Sequence, residues 1–270
     1  MEIQWSLVLF TVLSGAGAWL FASAAIDEFK GTTKKTAFPA AILAVVLLAV
    51  GGICSVTHLS HPERMLAALG HPTAGIFLEA LLLGILAVVA IVYAILVKRE
   101  ASAGARKIFA ILGIIAAIAL TFACGASYMM SSHAMWNTIT LPLAYLGTAA
   151  ASGTALYLVL CAALKESDEA VSFAGLLATA GGVLALVLGI VYGVAGNVAF
   201  GDQAAIFWLA VVVCGGVAPI VFGYLASKKP ASGLTYGAIA VVGALIGSIG
   251  LRCVMWLAGS ALMSLFGVVL

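Results

Sequence analysis

At 270 residues, 64% hydrophobic and only 8% charged, with a mean hydropathy of +1.24, the chain lies far outside the range of a water-soluble domain. Its formal net charge of +2 gives no reason to expect nucleic acid as a partner. The apolar runs are continuous and lack two-residue alternation, which excludes a membrane β-barrel. A helix crosses a bilayer with about 20 apolar residues. The expected fold is therefore all-α: one membrane domain, residues 1–270, forming a bundle of eight transmembrane helices.

The first span is expected over residues 5–26. Glu2 and the lack of a basic residue before it make it a retained anchor, and Ser14, Ala18 and Ala22 form a small-residue stripe for close helix contact. Asp27, Glu28, Lys30, Lys34 and Lys35 follow. The second span, 38–56, leads into Ser55–Pro72, which carries His58, His61 and His71 with Glu63 and Arg64. Ser60 and Glu63 have capping-box spacing, Pro62 suits a first turn and Gly70 a stop, so a short interfacial helix is expected over 62–69. The third span, 73–97, contains one intramembrane acid, Glu79.

Lys98, Arg99, Glu100, Arg106 and Lys107 separate it from the fourth span, 108–129. The connector Ser131–Asn137 holds the fourth histidine, His133, beside an interfacial Trp136. The fifth span, 138–164, has Pro142 near its start, and Lys165, Glu166, Asp168 and Glu169 mark the next turn. The sixth, 173–196, places Gly189 and Gly193 four apart. The seventh, 204–226, ends at Lys228-Lys229-Pro230. The eighth, 234–257, has Gly243 and Gly247 for packing and Arg252 near its far end.

Ten of the 12 basic residues fall in the odd-numbered connectors, leaving only Arg64 and Arg252 on the other side. The positive-inside rule then puts both termini and all four histidines outside an inner (cytoplasmic) membrane. Two stacked bis-histidine haems need imidazoles near both faces, and none lies near the basic one. A single outer haem would take His58 or His61 with His133. The five cysteines, Cys54, Cys124, Cys161, Cys214 and Cys253, are scattered, so no iron–sulfur cluster and no structural zinc is expected in this chain.

Glu79 and Arg252 have similar expected depths. They read either as a structural ion pair or as a polar wall for the hydroxyls of an amphipathic ligand. A carrier lined by the two residues, or a structural anchor without a working site, are the alternatives. Four outer histidines beside Glu63, Arg64, Glu79 and Arg252 suit a lipid-soluble ligand that loses protons on oxidation, such as a quinol.

The run His58-Leu59-Ser60-His61-Pro62-Glu63-Arg64 resembles the His-Leu-Gly-x-Pro-x-Arg segment of the membrane-anchor subunit of dimethyl sulfoxide reductase. Phe10-Thr11-Val12, Glu79, Trp136 with Pro142, and Arg252 follow in the same order, and length and span number agree. The resemblance implies an anchor for a molybdopterin catalytic subunit and an iron–sulfur subunit. It further implies menaquinol as substrate, no haem and no metal in this chain, and His58 as the quinol-site histidine. His61, Glu63, Arg64, Glu79 and Arg252 complete the expected quinol-binding set, with His58 accepting the proton. Two departures stand out: Ser60 replaces a glycine, and Ser248 stands where the family can have an acid four residues before the arginine.

Overall fold

The computed structural model describes residues 2–57, 74–133 and 135–265, of which 259–265 are described by their backbone alone. The described residues form eight long helices: α1 (Trp5–Lys30), α2 (Ala37–Val56), α3 (Gly75–Lys98), α4 (Ala103–Ala126), α5 (Thr140–Ala163), α6 (Asp168–Ala195), α7 (Ala204–Lys228) and α8 (Gly233–Leu265). Each is long and apolar enough to cross a membrane. The expected all-α bundle of eight spans is therefore the observed fold. The expected interfacial helix at 62–69 lies outside the described residues.

Where the helices begin differs from expectation at two places, for one reason. Ser102 and Ser167 each accept a hydrogen bond from the backbone N–H three residues on, Ala105 at 3.4 Å and Ala170 at 3.2 Å. These N-caps start α4 and α6 five residues early, and Asp168 and Glu169 become first-turn residues at the positive end of α6. At the other end of a helix, Gly31 stops α1 in the left-handed conformation (φ 73°), and its N–H bonds to the carbonyl of Asp27.

Helices α1 and α5 form the centre. Their inner faces are rich in Ala, Gly, Ser and Thr, and side chains this small let backbones approach closely. Ser14, Ala18 and Ala22 of the expected stripe are all buried. Helices α2, α3 and α4 pack on one flank of this pair, α6, α7 and α8 on the other. The outward faces carry large aliphatic side chains, with Ile53 64%, Val88 60% and Leu209 66% exposed. In water such a surface would aggregate, whereas hydrocarbon solvates it.

Helix α7 is not uniform: Phe207–Val217 winds as a π-helix between α-helical ends. Along this stretch α7 meets α8 most closely. A Cβ on Gly247 would stand 2.1 Å from the Cα of Gly215, so only glycine at both positions permits the crossing. The close contact expected of Gly243 and Gly247 is thus made with α7.

The helices alternate in direction, so their ends gather at two poles. One pole holds the start of α1, the ends of α2 and α4, the starts of α3 and α5, and the far part of α8. The other holds the basic connectors: backbone N–H groups of Lys34, Lys35 and Thr36 bond to Glu166 between α5 and α6, and Ser172 of α6 bonds to the carbonyl of Ser227 in α7.

Candidate functional site

A buried cation sits at the pole opposite the basic connectors. Arg252 of α8 is 1% exposed, yet its described hydrogen-bond partners are all neutral. Its Nε donates to Thr11 Oγ1 of α1 at 3.2 Å. One terminal nitrogen donates to Thr148 Oγ1 of α5 at 2.7 Å, and to Ser248 Oγ at 2.9 Å and the Ser248 carbonyl at 3.0 Å.

The hydroxyls are oriented for this task. Thr11 gives its own proton to the carbonyl of Leu7, and Thr148 gives its proton to that of Ala144, so the oxygen lone pairs face the guanidinium. The face of Tyr145 lies under the cation, 4.0 Å from guanidinium carbon to ring centroid. A cation–π contact of this kind gains strength where water is excluded.

Aromatic rings continue from there. Tyr128 packs against Tyr145, Trp136 and Trp256, with centroids 5.8, 6.1 and 6.0 Å away. Trp136 Nε1 donates to the carbonyl of Met255 at 2.9 Å, tying the connector between α4 and α5 to α8. His133 stacks on the same indole at 4.5 Å, so this histidine lies beside the cluster. The indole N–H of Trp256 is buried with no hydrogen-bond partner among the described residues.

Glu79 lies on the other side of Cys124 and Tyr128, each of which is within electrostatic reach of both Glu79 and Arg252. Its carboxylate accepts a hydrogen bond from Ser127 Oγ at 2.5 Å and is 8% exposed. Gly75 permits this contact: a Cβ there would stand 2.8 Å from the Cβ of Ser127, forcing the start of α3 away from the end of α4.

Of the two readings of Glu79 and Arg252, the ion pair is not the one the described residues form. Each is captured by groups on the helices it touches first, Ser127 for the acid and three hydroxyl side chains for the arginine. Similar depth was necessary for pairing and was not sufficient, because α3 and α8 lie on opposite sides of α4 and α5. Ser248 is no passive replacement for an acid, since both its hydroxyl and its carbonyl hold the guanidinium.

The structure therefore brings Arg252 and Glu79 to one pole of the bundle, around one aromatic cluster. The ends of α2 and α3 that flank residues 58–73 reach the same pole. His58, His61, Glu63, Arg64 and His71 lie outside the described residues. Sequence reasoning missed Thr148, Tyr145, Ser127 and Trp256. Thr148, a hydroxyl in a small-residue helix, carried no signal that sets it apart from the other threonines of the spans.

Comparison with known families matches residues 1–218 to the family described as DMSO reductase anchor subunit (DmsC). No curated protein matches the chain. The matched residues hold Thr11, Glu79, Ser127, Tyr145 and Thr148, while Arg252 and Trp256 lie beyond them on α8. A bundle of eight membrane-spanning helices with a polar site at one pole, matched over most of its length, makes this chain a member of the DMSO reductase anchor subunit family.

Proposed function

We propose that the chain is the menaquinol-oxidising anchor of its complex, working at the pole that holds Arg252 and Glu79. Menaquinol loses two protons and two electrons to become menaquinone. The electrons pass to an iron–sulfur subunit docked on that face and on to a molybdopterin catalytic subunit, the site of the terminal reduction. His58 accepts a hydroxyl proton, water with Glu63 or His61 takes it outward, and Arg64 and Glu79 help to hold the ring oxygens. In this reading the complex sits in the inner (cytoplasmic) membrane, with both termini and the quinol site on the outer side.

The observation that carries this reading is a buried arginine whose described partners are all neutral. Its positive field is uncompensated by any carboxylate within ion-pair distance among the described residues. A developing quinol oxyanion near that field is stabilised far more in low dielectric than it would be in water. The aromatic cluster offers flat faces for an apolar ring, and the flanking segment 58–64 supplies the proton-accepting types. Proton release and electron exit on one side imply that this subunit moves little charge across the bilayer.

The test is His58→Ala in the assembled complex. Menaquinol-dependent reduction should be lost, while an artificial donor feeding the partner subunits should still drive turnover. Normal menaquinol turnover with alanine at this position would remove His58 from the mechanism.

A further inference from the structure

The basic pole holds a second polar feature for which quinol oxidation has no use. A cleft of about 380 Å³ lies between the last turns of α1 and α3, the first turn of α4 and the connector between α1 and α2. Lys34, Arg106 and Lys107 line it, together with Asp27 and Glu28.

Both acids are already engaged in holding the walls. Asp27 accepts hydrogen bonds from the hydroxyls of Thr32 and Thr33 and from the backbone N–H of Thr33 at 3.0 Å. Glu28 accepts from the hydroxyl of the fully buried Tyr93 at 2.8 Å and lies 3.0 Å from Arg106 Nε.

The cations are less well matched. Arg106 Nε is close enough to Glu28 for an ion pair, yet its N–H is not aimed at the carboxylate and makes no hydrogen bond among the described residues. Neither Lys34 nor Lys107 has a carboxylate within ion-pair distance among the described residues. Lys107 instead rests its ammonium 5.6 Å from the ring centroid of Phe29, which is half exposed at the rim.

Location narrows the choice of ligand. The cleft opens at the level where the apolar helix surface gives way to the ten basic residues, which is where lipid headgroups lie. Ile95 and Ile108, on the helices that form its walls, are exposed in the manner of hydrocarbon-facing side chains. A ligand that presents a phosphate to three cations and an acyl chain to that surface satisfies both. A free anion would match the cations but would make no use of the cleft's place at the headgroup level.

We propose that this cleft is a binding site for the phosphate of an anionic phospholipid headgroup, held by Lys34, Arg106 and Lys107. The site is separate from the quinol chemistry and stands or falls independently of it.

The test uses the full chain in its detergent-purified, delipidated complex. Retention of phosphatidylglycerol, phosphatidylcholine and inorganic phosphate is measured by native mass spectrometry, and thermal unfolding is followed with each. Phosphatidylglycerol should bind and raise the unfolding temperature, with neither phosphatidylcholine nor phosphate doing so. The double variant Lys34→Gln/Lys107→Gln should lose roughly tenfold in phosphatidylglycerol retention. Its arginine counterpart, Lys34→Arg/Lys107→Arg, should recover it. Lys228→Gln/Lys229→Gln, at the same pole and away from the cleft, should leave retention unchanged. Equal retention of the two lipids, protection by phosphate alone, or an equal loss in the Lys228/Lys229 variant would each overturn the proposal.

Discussion

Arg252 shows how a membrane protein keeps a charge in its interior without a counter-ion. Three hydroxyl oxygens, a carbonyl and an aromatic face share the work of a carboxylate, while the positive field stays available to a ligand. Replacing it with alanine removes the bonds and opens a cavity beside Tyr145. Arg252→Ala should cost about 2–4 kcal/mol of stability, read as a lowered unfolding temperature and poor assembly of the complex. Arg252→Lys keeps the charge, but one ammonium cannot span Thr11, Thr148 and Ser248, so it should assemble better than alanine and turn over more slowly than arginine. Unchanged thermal stability in the alanine variant would contradict the hydrogen-bond count. The residues that hold Arg252 were only partly legible in the sequence. Thr121, Thr154 and Thr179 also stand in spans and also bond to carbonyls of their own helices, so nothing along the chain distinguishes Thr148 from them.

Among the elements, the connectors at the basic pole are joined by one carboxylate. Glu166 accepts from the backbone N–H groups of Lys34, Lys35 and Thr36 and from the hydroxyl of Thr36, so it fastens the α1–α2 connector to the α5–α6 connector. Partial burial works against its charge, but those bonds win and hold its pKa below the ordinary value of 4.5. The folded pKa is the depressed one, so this contribution to stability is fully present above pH 4.5 and is lost as the pH falls through the folded value. Unfolding midpoints measured downward from pH 5 should therefore drop more steeply in the native chain than in Glu166→Gln. Because the carboxylate is only partly buried and open to screening by solvent, Glu166→Ala at neutral pH should cost only about 1 kcal/mol. Parallel curves for the native chain and Glu166→Gln would show that the carboxylate does not fasten the two connectors.

For the whole molecule, the arrangement that matters is polar asymmetry. Ten of 12 basic residues gather at one pole and the buried arginine lies towards the other. If the basic pole faces the cytoplasm, a membrane-impermeant thiol reagent applied to intact cells should reach Asn137→Cys and Asp202→Cys. It should not reach Ser102→Cys or Ala231→Cys, each variant being made in a chain whose five native cysteines are replaced by alanine. Labelling at position 102 from outside would invert the orientation and move the proposed quinol site to the cytoplasmic side.

Span number, the approximate extent of each span and the charge split between poles follow from the sequence alone, because they depend on local quantities: the length of an apolar run and the side on which each lysine falls. Depth is equally local, since it is a count of residues at a fixed rise per residue, and the similar levels of Glu79 and Arg252 were readable in that way. Their separation was not. Which way a side chain points around its helix relative to its neighbours depends on how closely the backbones approach. That is decided by small-residue contacts such as Gly75 against Ser127 and Gly215 against Gly247. With α4 and α5 between the two charges, nearby hydroxyls solvate each one separately. Only the tertiary structure could choose that arrangement over an ion pair, because the choice rests on distances between helices far apart in the chain.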